Sequence, residues 1–228
     1  MRILLLLASW LGVIVLPIVI VSSVLTSLFF DVNFDRAGQA KYQVQLVTGM
    51  SPSELDRVDQ GIVRFFAGNE TLPRALAASG ANPDVFKQKE ILHMDDVRVI
   101  VQFIGKAQLD GVAFVVALVA LSLIRWRDLG KAALARTLTY GSALTLALVV
   151  VAGVLTYTSF DSLFLTFHEV TFHNNFWELD PRTDHLIQMF PFGFWYDAML
   201  TVALRVLLLT VCLGTCGVMI GRFERRRA

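Results

Sequence analysis

Four long apolar runs, separated by polar stretches of very unequal size, constrain this chain more than any other feature. A helix rises 1.5 Å per residue, so about 20 mostly apolar residues cross the hydrocarbon core of a bilayer. The first run covers residues 3–30 and is broken only by Ser, Thr, Gly and Pro17. It ends in Leu28-Phe29-Phe30, a poor context for signal cleavage, so the sequence predicts a retained transmembrane helix. Its length exceeds a core of about 30 Å, which predicts tilt or a kink at Pro17. The other runs lie at residues 110–124, 137–158 and 198–220. The expected fold is therefore all-α: a four-transmembrane-helix bundle with a small, mainly helical extracytoplasmic cap.

Charge gives this bundle an orientation. The short loop 125–136 carries Arg125, Arg127, Lys131 and Arg136 against Asp128, and the tail 221–228 carries Arg222 and Arg225 to Arg227 against Glu224. Short basic loops stay in the cytoplasm, which predicts cytoplasmic termini. Residues 31–109 and 159–197 then share the outer face of the membrane, with all four histidines on that face: His93, His168, His173 and His185. Membrane lipids are the expected surroundings. A net charge of +1 leaves no large basic face, so nucleic acid is not an expected partner. Cys212 and Cys216 stand at i, i+4 in the last run, near the limit of disulfide reach, and are expected to remain unbridged.

Within the first outer segment, Ser51-Pro52-Ser53-Glu54 reads as a helix start with Ser51 as N-cap and Glu54 closing a capping box. Leu55, Val58, Ile62 and Phe65 follow at helical spacing, and Gly68 with Pro73 ends the helix. Its apolar stripe could cover a site or lie on headgroups. From Lys89 the chain reads as one helix that starts outside the membrane and continues inward as the second span.

Chemistry concentrates in two places. On the helix from Lys89, Asp96 stands at i+3 from His93 and shares its face, an arrangement in which a carboxylate can orient an imidazole as general base. Alone, this pair reads as readily as a surface ion pair near a membrane interface. The second place is residues 167–195, with His168, His173, His185, Asp180, Asp184 and many aromatics. His168 shares a stripe with Phe164, and with Asn175 if the helix persists, whereas His173 projects elsewhere. Asp180 before Pro181 reads as a helix cap, and Asp184 remains open for site support. Phe176, Trp177, Phe192, Phe194, Trp195 and Tyr196 read first as an interfacial belt and alternatively as a groove for acyl chains. The histidine spacing does not fit a zinc-protease helix, and no Gly-x-Ser-x-Gly elbow is present. No metal or cofactor is expected, although histidines far apart in sequence could still meet around a metal.

His93-Met94-x-Asp96-Val97, Phe167-His168, Asn174-Asn175-x-Trp177 and Asp180-Pro181-x-x-Asp184 occur in this order, followed by Leu186-Ile187, Pro191 and Phe194. In these motifs and in its four spans the chain resembles the bacterial lipoprotein intramolecular transacylases (Lit), over nearly its whole length. The resemblance implies an acyltransferase acting on a diacylated lipoprotein. It would move the sn-2 acyl chain of the diacylglyceryl-cysteine to that cysteine's own α-amine, giving the lyso-form. It implies His93 and His168 as catalytic residues, with Asp96 orienting His93 and Asn175, Trp177 and Asp184 in supporting places. His93 is expected as base and His168 as acid or oxyanion partner, with the roles exchangeable. Two other functions stay open at this point: metal-assisted lipid ester hydrolysis by the same histidines, and non-catalytic binding of lipid or lipoprotein.

Overall fold

The computed structural model describes residues 2–124 and 127–225. Arg125 and Trp126 of the basic loop, and Arg226 to Ala228 of the tail, lie outside the described residues. The elements are α1 (Arg2–Phe29), α2 (Val32–Lys41), α3 (Val44–Thr48), α4 (Pro52–Ala67), α5 (Leu72–Ala78), α6 (Gln88–Ile124), α7 (Arg127–Thr171), α8 (His185–Met189) and α9 (Phe192–Arg225). Among the described residues all regular structure is helical, and α1, α6, α7 and α9 are long and apolar enough to cross a membrane. Three of these helices outrun the apolar runs within them. The second span begins at Gln88, the third continues past residue 158 to Thr171, and the fourth starts at Phe192. Ser159 (φ −150°, ψ 36°) breaks the regular dihedrals of α7 just where its apolar run ends.

The chain divides into two compact units. One comprises Met1–Leu25, Ile104–Val154 and Thr201–Ala228. Its core joins Leu16, Ile20 and Val24 of α1 to Val206 of α9, with Leu138 and Val149 of α7 packed around them. Lipid tails are as apolar as leucine, so close packing rather than water exclusion must hold such helices together. Gly12 shows how: a Cβ there would lie 2.8 Å from Oγ1 of Thr137. The contact this permits carries a hydrogen bond of 3.0 Å from the Thr137 hydroxyl to the Ser9 carbonyl. Leu7, Ile14, Val116, Val151, Leu204 and Leu208 are exposed in this unit, forming the outward apolar surface that a bilayer requires. Cys212 and Cys216 are free.

The other unit comprises Thr26–Phe103 and Leu155–Leu200. The capping box forms as read: Glu54 N–H donates to Ser51 Oγ, and Ser51 N–H donates to Glu54. Leu55, Val58, Ile62 and Phe65 are all buried, so the stripe of α4 serves the core of this unit. That core also takes Leu72, Ala75 and Leu76 of α5, Met94 of α6, and Leu186 and Met189 of α8. Gly61 lets α4 and α5 approach, since a Cβ there would sit 3.0 Å from the Leu76 Cα.

Buried polar groups tie the loops of this unit together. Glu90, fully buried, accepts the backbone N–H of Lys87 at 2.8 Å and that of Leu186 at 2.6 Å. Asp59 accepts from the Gln39 side-chain amide at 2.9 Å, while its other oxygen is buried without a partner. Burial, and after it the nearby Asp35, pushes the Asp59 carboxyl up to about 8.

Candidate active site

His93 lies one and a half turns into α6, and its ring is buried. His168 lies in the last turn of α7, three residues before the helix ends at Thr171, and is equally buried. Their ring centroids are 6.1 Å apart with the planes inclined at 34°. Residues 75 positions apart in sequence thus stand side by side within one compact unit.

The surroundings of the pair are mainly aromatic. His168 is flanked by Phe164 at 4.3 Å, Phe167 at 5.2 Å and Trp177 at 5.2 Å between centroids. Phe172 touches both imidazoles, edge-on to His93 at 5.1 Å and tilted against His168 at 5.6 Å. Such walls lower the local dielectric, which strengthens the interaction of a developing charge with hydrogen-bond donors held beside it.

Hydrogen bonding distinguishes the two histidines. Nδ1 of His168 lies 2.7 Å from the Phe164 carbonyl oxygen, which can only accept, so Nδ1 carries a proton. The lone pair of neutral His168 is therefore on Nε2. In His93 it is Nδ1 that is buried, and it has no hydrogen-bond partner. An orphaned buried N–H is rarer and costlier than an under-used acceptor, which favours the proton on Nε2 of His93. The two neutral rings then offer opposite tools, a lone pair on one Nε2 and an N–H on the other.

Asp96 takes a hydrogen-bond partner other than the expected one. Its Oδ2 accepts from the side-chain amide of Asn174 at 2.9 Å, so its relation to His93 is one of nearby charge rather than an orienting bond. Asn174 also accepts from the Phe176 backbone N–H at 3.0 Å, which folds the segment after α7 into a tight turn. That turn leads into Trp177, seated on His168. Asn175 is exposed, because α7 ends before it and no helical stripe carries it back to His168. The neighbouring Asn174 makes the contact; its place in the Asn-Asn pair was legible, but not its choice of partner.

Asp184 is buried and engages Lys87 at 2.7 Å, the Asp180 backbone N–H at 2.8 Å and the Thr183 hydroxyl at 3.0 Å. Burial opposes its ionisation, yet these partners hold the carboxyl below its usual range. It fixes the loop before α8. Asp180 does not cap a helix: residues 181–183 form a turn, and the cap position of α8 falls to Asp184. Asp180 instead accepts from the Arg182 side chain and backbone N–H, and these bonds push its carboxyl down to about 2. His173 is exposed, and His185 pairs with Gln188 at 3.0 Å. The aromatics read as a belt are partly internal. Phe194 is buried against Phe34 and Phe190, and Phe192 packs on Phe160 and Phe164. Among the described residues, no three His, Cys, Asp or Glu side chains converge as metal ligands.

Four membrane-length helices, and two histidines facing each other beneath aromatic walls, define a multi-pass integral membrane protein with a compact polar site. The family model for lipoprotein intramolecular transacylase Lit matches residues 10–195. The chain belongs to this family of acyltransferases. Its fold is that of the membrane integral lipoprotein intramolecular transacylase Lit of Bacillus cereus, with a TM-score of 0.84 at 16% identity over 99% of this chain and 100% of that one. A Bacillus cereus Lit structure with a histidine-to-alanine substitution gives a TM-score of 0.77 at 15% identity over 98% and 96%. An uncharacterised protein of Aquifex aeolicus is 26% identical over 156 residues, which span 68% of this chain and 66% of that relative.

Proposed function

We propose that this protein transfers the sn-2 acyl chain of a diacylglyceryl-modified lipoprotein to the α-amine of the same N-terminal cysteine. The observation that carries this reading is the facing pair of buried histidines with complementary hydrogen-bonding edges. In the reaction a C–N bond forms as the ester C–O bond breaks. The amine, with a pKa of about 8, gives up its proton, and the glycerol oxygen gains one. His168 suits the first task, since its Nε2 lone pair is free and its ring is held by Phe164. His93 suits the second, donating from Nε2 to the ester oxygen as negative charge develops and supporting collapse to the alcohol. The base and acid assigned from sequence thus exchange places, because the orienting bond belongs to His168. Both reacting groups belong to one substrate, so holding its headgroup supplies much of the rate through proximity. No protein nucleophile is needed.

Supporting features surround the pair. Leu165, Phe167 and Val170 are exposed on the same turns of α7 as His168, an apolar approach suited to acyl chains. The basic charge of the short loop and tail supports cytoplasmic termini, with residues 31–109 and 159–197 at the outer face of the bacterial cytoplasmic membrane, where lipoproteins mature. The test is incubation of the purified protein with a diacylated lipopeptide. Parent mass stays constant, and fragment ions report the acyl chain moving from glycerol to nitrogen. His168→Ala and His93→Ala should each slow this by about 10²–10⁴-fold, the usual reach of general acid–base catalysis. Undiminished lyso-form production by either variant would break the reading.

A further inference from the structure

Beside the histidine pair an open cleft of about 640 Å³ is bounded by residues of the α7 end and the turn that follows it. Three of its lining residues also belong to the site's surroundings. Phe172 touches both imidazoles, Trp177 lies against His168, and Asn174 is bonded to Asp96. The cleft therefore adjoins the residues that surround the histidine pair; it shares Leu165 with the apolar approach along α7 but adds polar and acidic side chains. Glu169 and Glu178 line it and are both exposed. Among the described residues neither carboxylate belongs to an ion pair. The Lys89 ammonium donates to the Glu178 backbone carbonyl and pairs with neither carboxylate. Asn175 adds a side-chain amide of the kind that pairs with peptide groups.

A diacylated lipoprotein carries two unlike parts away from its reacting atoms, acyl chains and a polypeptide. We propose that this cleft holds the peptide segment following the modified cysteine and favours segments with basic residues there. The inference rests on the acyl-transfer reading above and adds a substrate preference to it. The two carboxylates supply attraction for cationic side chains and repulsion for acidic ones, a difference that screening by salt should shrink.

The experiment compares three synthetic diacylglyceryl lipopeptides, identical except for paired lysines, serines or glutamates after the cysteine, using the full-length protein in neutral detergent. The lysine peptide should show kcat/KM about fivefold above the glutamate peptide, the sum expected of two exposed charge contacts. The difference should lie mainly in KM and fade in about 0.5 M salt. Glu169→Gln with Glu178→Gln should erase it while leaving the serine peptide converted at the native rate, a control for folding. Equal kcat/KM for lysine and glutamate peptides, or a loss in the double variant that is uniform across all three, overturns the proposal. Absence of conversion of any peptide by the native protein would instead sink the acyl-transfer reading, and this inference with it.

Discussion

The two compact units bury polar groups by different means. In the unit built from Met1–Leu25, Ile104–Val154 and Thr201–Ala228, the buried polar side chains are hydroxyls: Ser9, Ser22, Thr137, Ser142, Thr145 and Thr210. Several bond back to their own helix, Ser9 to the Leu6 carbonyl, Ser22 to Ile18 and Thr145 to Gly141. In the other unit they include Asp59, Glu90, His93, His168 and Asp184. Carboxylates cannot satisfy helix carbonyls, so their partners come from afar: Leu186 for Glu90, Lys87 for Asp184, Asn174 for Asp96. The first unit is thus specified by shape and by hydroxyl bonds to helix carbonyls, most of them local and one, Thr137 to Ser9, between helices, and the second by carboxylate bonds over long sequence distances. That is the kind of framework that can hold two imidazoles at a fixed spacing.

The comparison breaks most visibly at Glu90. Glu90→Ala leaves the buried N–H of Leu186 without an acceptor and removes the bond from the Lys87 N–H, at a cost of about 3 kcal/mol for charge-assisted bonds of this sort. The unit of Thr26–Phe103 and Leu155–Leu200 should then open before the other unit melts. Limited proteolysis in residues 31–87 at temperatures where far-ultraviolet helicity persists measures this. Coincident loss of both signals at the native temperature would show that Glu90 contributes little.

Much of this fold was legible because its signals are local and repeated. Four apolar runs, the capping box at Ser51 and the stripe on α4 each need only a short window of sequence. Placing His93 and Asp96 on one face needed only helical spacing. The rest depends on distant arrivals. Glu90 sits in an unremarkable helix start, and its burial is decided by a backbone N–H 96 residues away. Asp96 is taken by Asn174, 78 residues away, and no periodicity announces such a meeting. The overreach of α7 to Thr171 escaped an apolar criterion because its last turns mix Phe, His and Glu.

A smaller effect, spread over pH, sharpens the contrast. Asp59 titrates near 8 and Asp35 near 7 in the folded protein, each raised first by burial, against ordinary carboxyl values near 3.8. Between those limits the folded chain holds protons that the unfolded chain has released, so stability falls as pH rises. It is greatest below the unfolded value and is lost through pH 7 to 8. Asp59→Asn should flatten this slope by removing one titration. Thermal melts at pH 5 and pH 8 test it: the native protein should lose several degrees, roughly 2–4 °C per kcal/mol for a chain of this size, and the variant distinctly less. An equal drop in both would assign the dependence to other groups.

The smallest expected effect is in the other unit. Ser22 is buried, and its hydroxyl donates to the Ile18 carbonyl at 2.6 Å, an oxygen that the helix ladder already serves. Ser22→Ala removes the donor and orphans nothing, while alanine is the better helix former. Stability should stay within about 0.5 kcal/mol of native, and lipopeptide turnover should not change. If Ser22→Ala instead costs as much as Glu90→Ala, a local hydroxyl bond in this unit carries as much stability as the carboxylate bonds of the other. The division between neutral hydroxyl bonds in one unit and carboxylate bonds in the other would then have to be abandoned.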